Sequence, residues 1–549
     1  MENALHIRLV SGLVKARVDD TITTFAPYEN ATALRGDRLF FSLLAYVPFG
    51  VHGSMRTVVK VDSPLAERIT TYDVEHVPVL LPSYTDARLD DDYLDHKPGL
   101  FPNVLRPTKK VFLYANQLHQ LYFELRVPED VAPGSYPITV SLINEKDEPM
   151  GEATLTVEIL DALLPPQKLI CTEWFHCDCL ATYYNVEVFS QRHWEIIENF
   201  ARMAVDTGIN ALLTPILTPP LDTVVGGERP TVQLVDVTRE NGKYTFGFDK
   251  LRRWCEMCQR VGVKELEINH LFTQWGAEHA PKVMATDNGE YRRIFGWETE
   301  AAGEEYVTFL RTLLPILKEK LDEFGYKDHY FFHISDEPNA KHLESYTKAR
   351  NAVIDLIEDH PVRDALSDFE YYESGLVTHP IPSNDHIAPF LAAKVPDLWT
   401  YYCCVQGNKV SNRFIAMPGY RTRVLGAQLY KAEIAGFLQW GYNFYYGRRS
   451  EVTINPYLTA DGLGSWPAGD PFAVYPDADG TPLLALHHAI FVQALFDLRA
   501  MEAAEAVCGR EAVLAAVEAE GKIDFSHYPR SNDYLLKLRD TLNRMAAGV

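Results

Sequence analysis

The sequence predicts a mixed α/β protein: an N-terminal β-sandwich over residues 1–165, a (β/α)8 TIM barrel over 166–509, and a helical extension over 510–549 packed on the barrel. Three observations predict it. The N-terminal part reads as short strands between turns, the remainder alternates strand with helix, and the alternation repeats eight times, which closes a barrel. The composition, 47% hydrophobic and 23% charged over 549 residues, is that of a folded chain and not of a disordered or collagenous one.

In the first part, candidate strands lie at 38–46, 57–61, 110–114, 121–127, 136–143 and 153–159. The last three alternate polar and apolar residues with period two and are rich in β-branched and aromatic types. Residues 128–136, PEDVAPGSY, give the Pro/Gly punctuation of a sandwich turn. Pro165 and Pro166 block helix continuation and mark the linker.

Barrel strands are predicted at 169–175, 209–215, 264–271, 329–335, 365–372, 398–402, 436–446 and 471–476. Helices fall at 190–208, with Ser190 as N-cap and Gly208 as stop, and at 249–262, 304–324 and 342–358. No GxGxxG follows the first strand, which argues against a dinucleotide fold.

Charge and cysteine content narrow the function. Lys+Arg 52 against Asp+Glu 75 leaves a net charge of −23, a field that repels a phosphate backbone and argues against a nucleic-acid partner. No stretch approaches the ~18–20 apolar residues of a membrane span. The first residues lack the basic and apolar regions of a signal peptide, so a cytoplasmic chain is expected. Eight Cys are sparse; Cys177/Cys179 and Cys255/Cys258 have no partner pair at zinc spacing, so reduced thiols and no metal or cofactor are expected.

Barrel active sites lie at the C-terminal strand ends. After the predicted fourth strand come Asp336 and Glu337, adjacent acids whose like charge and partial burial would separate a proton donor from an anion. The plain alternative is a helix start, with Asp336 as N-cap and Pro338 in the first turn. Aromatic, amide and imidazole groups on or past the other strands favour chemistry: Trp174, His176, Asn210, His270, Gln274, Trp275, Tyr372, Tyr401, Tyr402, Trp440, Tyr442 and Asn443. Such groups suit a sugar, with its apolar C–H face and polar rim. The predicted seventh strand carries no carboxylate to act as a separate nucleophile. That gap fits the substrate-assisted route, in which the 2-acetamido oxygen attacks the anomeric carbon, the Asp orients the acetamido N–H and the Glu protonates the leaving oxygen.

Segments 173–181 (EWFHCDCLA), 209–223 (INALLTPILTPPLDT), 267–283 (EINHLFTQWGAEHAPKV), 334–338 (ISDEP) and 436–446 (GFLQWGYNFYY) resemble glycoside hydrolase family 123, over essentially the whole chain. The resemblance implies a β-N-acetylgalactosaminidase with a (β/α)8 catalytic domain and a retaining mechanism through an oxazolinium intermediate. Asp336 then matches the acetamido-stabilising Asp and Glu337 the general acid/base. Three other readings stay open: a non-catalytic carbohydrate-binding barrel, a β-N-acetylhexosaminidase of gluco specificity, and a metal-dependent hydrolase using His176, Asp178, His270 and His333, although these four show no HxH or HExxH spacing.

Overall fold

The computed structural model describes residues 5–48, 55–84 and 92–549. Two five-stranded sheets form the N-terminal part. One runs, in spatial order, His6–Ser11, Arg38–Tyr46, Leu118–Arg126, Ile69–Val79, Gly99–Pro107; the other runs Asn30–Arg35, Pro149–Leu163, Gly134–Asn144, Met55–Asp62, Lys110–Leu113. Alternation decides which side chains go inward: Ile138, Val140 and Leu142 of one strand and Leu155, Val157 and Ile159 of its neighbour meet Phe41, Leu43, Phe123 and Leu125 of the other sheet in one apolar cluster.

Eight short parallel strands follow: β1 (Ile170–Glu173), β2 (Ala211–Thr214), β3 (Glu265–Ile268), β4 (Tyr330–Phe331), β5 (Arg363–Ala365), β6 (His379–Ile381), β7 (Trp399–Tyr401) and β8 (Gly436–Gln439). Six of them form one sheet in the order β4-β3-β2-β1-β8-β7, and β5 pairs with β6. Isolated bridges, Phe332 to Val362 just past β4 and just before β5, and Ser383 to Tyr401 between the end of β6 and β7, link the two sets. Helices lie between them. Gln191–Asp206 starts at Ser190, whose hydroxyl accepts from the His193 N–H at 3.3 Å. Asp249–Val261 buries Leu251, Trp254, Cys255 and Cys258 on one face, and stops at Gly262 with φ +95°.

Three sequence expectations change here. The fifth predicted strand, 365–372, is β5 followed by a short helix, Glu370–Glu373. The eighth, 471–476, contributes Val474–Pro476 to an antiparallel hairpin with Pro482–Leu484, and β6 takes the place in the parallel set. The strand predicted over 436–446 ends at Gln439.

Helix Asn532–Ala547 packs on the long helix Leu486–Cys508 and on the N-terminal sheet: Arg539 pairs with Asp37 (2.5 Å) and Asp497 (2.8 Å), and Asn543 donates to the Thr32 carbonyl at 3.1 Å. Lys15 adds a second tie, donating from burial to the carbonyls of Phe414, Ile415 and Met417. No helix among the described residues is long and apolar enough to cross a membrane.

Candidate active site

Past β4 the chain runs through His333, Ile334 and Ser335 to Asp336 and Glu337, and its neighbours hold it on both sides. The Trp275 N–H donates to the Asp336 carbonyl at 2.8 Å and the Glu337 N–H to the Ala365 carbonyl at 3.0 Å. Asp364, on β5, accepts from the Ile334 N–H at 2.9 Å. These ties hold Glu337 at φ +43°, a left-handed conformation that costs a non-glycine residue about 1–3 kcal/mol and persists where the surroundings over-determine it. The turn that follows is capped by Asn339, which accepts from the Lys341 N–H at 3.1 Å, so Asp336 is not an N-cap.

The pair opens into a cavity of about 200 Å³ walled by Trp174, Trp275, Tyr401, Trp440, Phe444 and Trp466, with His176, Asp222 and Arg448 among its polar groups. A larger groove, about 1310 Å³, is lined by residues of the N-terminal sheets and of the last helix. It contains none of the predicted site residues, and its buried charges Asp37, Arg423 and Arg539 are paired with one another or with Asp497.

Burial, then repulsion by Glu337, holds the Asp336 carboxyl well above the usual carboxylate range. Burial raises Glu337 as well, against a 2.7 Å hydrogen bond from the Tyr401 hydroxyl that favours its charged form. Two such acids titrate as a unit, because the first negative charge opposes the second. Among the described residues no side chain hydrogen-bonds the Asp336 carboxylate, which leaves it free to accept from a ligand.

Beneath the pair lies a buried ionic layer. His333 faces Glu267 through Nε2 at 2.7 Å and Asp364 through Nδ1 at 3.5 Å. Burial opposes the imidazolium, but the facing carboxylates of Asp364 and Glu267 outweigh it and raise the pKa to about 9. Glu267 also accepts from the Trp174 indole at 2.8 Å, fixing a wall of the cavity. His270, His333 and Asp364 offer ligand-type atoms within 4.8 Å of one another. The two imidazoles stack at 4.4 Å with planes 15° apart, so their in-plane lone pairs run side by side, a poor fit to a shared ion.

Of the predicted contacts, Trp174, His176, Trp275, Tyr401 and Trp440 reach the cavity with Asp336 and Glu337. The others are placed elsewhere. Asn210 precedes β2 and ties β1 to it, accepting from the Cys171 N–H at 2.8 Å. His270 is buried edge-on against Trp174. Gln274 donates to the Thr223 carbonyl at 2.9 Å. Tyr372 packs on Phe369 and Phe390. Tyr402 alternates to the opposite face from Tyr401 and meets Phe437. Tyr442 donates to the Phe200 carbonyl at 2.9 Å, and Asn443 accepts from the His176 N–H at 2.8 Å, so both hold the wall and do not line it.

Sequence reasoning missed Asp222, Arg448 and Trp466, which arrive on long connections, Arg448 at the start of the short 3-10 turn Arg448–Ser450. The 3.0 Å bond from the Val224 N–H to the Arg449 carbonyl joins two of these connections. Of the metal-site candidates, Asp178 is committed to Arg229 at 2.7 Å. The Cys177/Cys179 and Cys255/Cys258 thiols are free and buried.

Adjacent carboxylates at the strand ends, enclosed by aromatic rings, define a class: a glycoside hydrolase. A family model described as "Glycoside hydrolase 123, catalytic domain" matches residues 174–504. The chain belongs to glycoside hydrolase family 123. Among solved structures it is similar to a family 123 glycoside hydrolase from Clostridium perfringens, with TM-score 0.75 and 12% identity, covering 99% of this chain and 98% of that one. A β-glucuronidase from Parabacteroides merdae overlaps weakly, with TM-score 0.31 and 10% identity, over 90% of this chain and 51% of that one. Among curated proteins no relative matches.

Proposed function

We propose that this glycosidase releases terminal β-linked N-acetylgalactosamine with retention, using the substrate's 2-acetamido oxygen as nucleophile. The parallel strand ring is read as the (β/α)8 barrel that positions the site, and the paired N-terminal sheets as a β-sandwich beside it. The observation that carries the mechanism is the unpartnered Asp336 carboxylate directly beside Glu337. An acetamido N–H donating to Asp336 favours its ionised form and leaves the shared proton on Glu337, which delivers it to the departing oxygen. Asp336 then stabilises the positive charge that develops as the oxazolinium ring closes, and Glu337 takes the proton from the water that opens it. Trp174, Trp275, Tyr401 and Trp440 would bind the ring's apolar face and exclude water.

A second reading has one observation in its favour. Asp222 also faces the cavity, with one oxygen accepting from the Arg449 N–H at 2.7 Å. In a conventional double displacement it would be the nucleophile. p-Nitrophenyl 2-acetamido-2-deoxy-β-galactoside, its gluco epimer and the plain β-galactoside separate the readings. Substrate assistance predicts turnover of the first and none of the galactoside that lacks the acetamide; comparable rates on both would support Asp222. The gluco epimer reports specificity at the 4-hydroxyl. Turnover is expected to be unchanged by a strong chelator, and its loss would bring back a metal-dependent mechanism.

Tyr401→Phe tests the acid assignment. Removing the hydroxyl takes away a hydrogen bond to the charged form of Glu337, so the acid's pKa rises and the basic limb of the kcat/KM profile moves to higher pH. A bond to a charged group is worth about 1.5–3 kcal/mol, or roughly one to two pH units. A limb that stays in place would remove Glu337 from the titration.

A further inference from the structure

Five of the eight cysteines, Cys171, Cys177, Cys179, Cys255 and Cys258, are buried, and Cys508 stands exposed and apart. Cys403 and Cys404 differ from all of these. They follow β7 after Tyr402, are half-buried, and both line the cavity that holds Asp336 and Glu337. Their turn is fixed: the Cys403 N–H donates to the Gln406 side-chain oxygen at 2.9 Å, and its carbonyl accepts from the Gln406 N–H at 3.2 Å and the Asn412 side chain at 2.8 Å. The two are consecutive residues of one turn.

We propose that Cys403 and Cys404 form a dithiol site for trivalent arsenicals on the cavity wall, and that its occupancy closes the cavity to sugar. Trivalent arsenic is soft and thiophilic, and two thiols on one turn offer it a chelate that single thiols do not. An arsenoxide, R–As=O, forms two As–S bonds to the pair. The two S–H protons leave with the oxide as one water, and arsenic stays trivalent, so no oxidant is needed. The pair suits this reaction better than alkylation. The neighbouring Cys404 thiol and then burial hold the Cys403 thiol well above its ordinary range, which keeps it protonated and a poor nucleophile.

The second half of the proposal rests on the glycosidase reading and the first does not, so two readouts are taken with phenylarsine oxide on the full chain. Intact mass should show a single phenylarsenic unit gained with two hydrogens lost, and peptide mapping should place it at Cys403 and Cys404. The adduct should resist excess 2-mercaptoethanol, reverse with 2,3-dimercaptopropanol, and persist in Cys508→Ser. Cys403→Ser and Cys404→Ser should each hold no adduct that survives a monothiol. Hydrolysis of the p-nitrophenyl 2-acetamidogalactoside should be lost on modification and return with the dithiol. Mapping to Cys177/Cys179 or Cys255/Cys258, or uptake by the urea-unfolded chain but not the native one, would overturn the site. A mapped adduct with undiminished turnover would overturn the occlusion alone. A chain that hydrolyses none of the sugars would refute the glycosidase reading and leave the mass result to decide the site.

Discussion

Glu337→Gln is expected to lower turnover of sugar-linked substrates by about 10²–10⁴-fold, the range that a positioned proton donor contributes. The loss should shrink as the leaving group improves, because an activated aryl oxide departs with little protonation. Asp336→Asn should behave differently. The amide still reaches the acetamido group but carries no charge, and nucleophilic participation accompanies departure whatever the leaving group, so aryl glycosides and sugars should lose rate together. Comparing kcat over a series of aryl leaving groups separates the two variants. Undiminished turnover by Asp336→Asn would end the substrate-assisted reading.

Arg413→Met is expected to give the largest loss of stability. Arg413 and Glu173 are fully buried and joined at 2.6 Å, and the same guanidinium donates to the Gln439 side chain at 2.5 Å and the Gly441 carbonyl at 2.6 Å. Glu173 closes β1 and Gln439 closes β8, so a single side chain ties two adjacent strand ends. Breaking a buried pair from one side strands an uncompensated charge and costs about 3–5 kcal/mol. Thermal unfolding followed by circular dichroism should show the drop, and adding Glu173→Gln should recover part of it. Activity should fall too, because Gln439 and Gly441 flank Trp440 in the cavity wall. An Arg413→Met chain as stable as the parent would mean that packing alone holds these strand ends.

The sequence showed what periodicity can encode. The strand expected over 38–46 has its observed bounds, and the helices expected over 190–208 and 249–262 lie within two residues of theirs, because caps and apolar spacing mark them locally. The strands it missed carry contrary signals. Ile69–Val79 and Gly99–Pro107 contain Pro78 and Pro102, which argue against a strand interior. β5 is Arg-Asp-Ala and is made a strand by tertiary partners: Arg363 lies over Trp399 at 4.3 Å, and Asp364 binds the backbone of the loop after β4. β6 contains three residues with a central proline. The hairpin strand Val474–Pro476 attracted the reading because a short apolar run looks the same in either sheet. The acids were legible as an adjacent pair past a strand. The distinction between Tyr401 and Tyr402 was not, because one residue's shift along a strand reverses the face it presents.

The helix Asn532–Ala547 reaches back to Thr32, Asp37 and Glu158, near the opposite end of the chain. Asp37 and Arg539 are 502 residues apart, so this flank of the N-terminal layer is synthesised long before the helix that covers it.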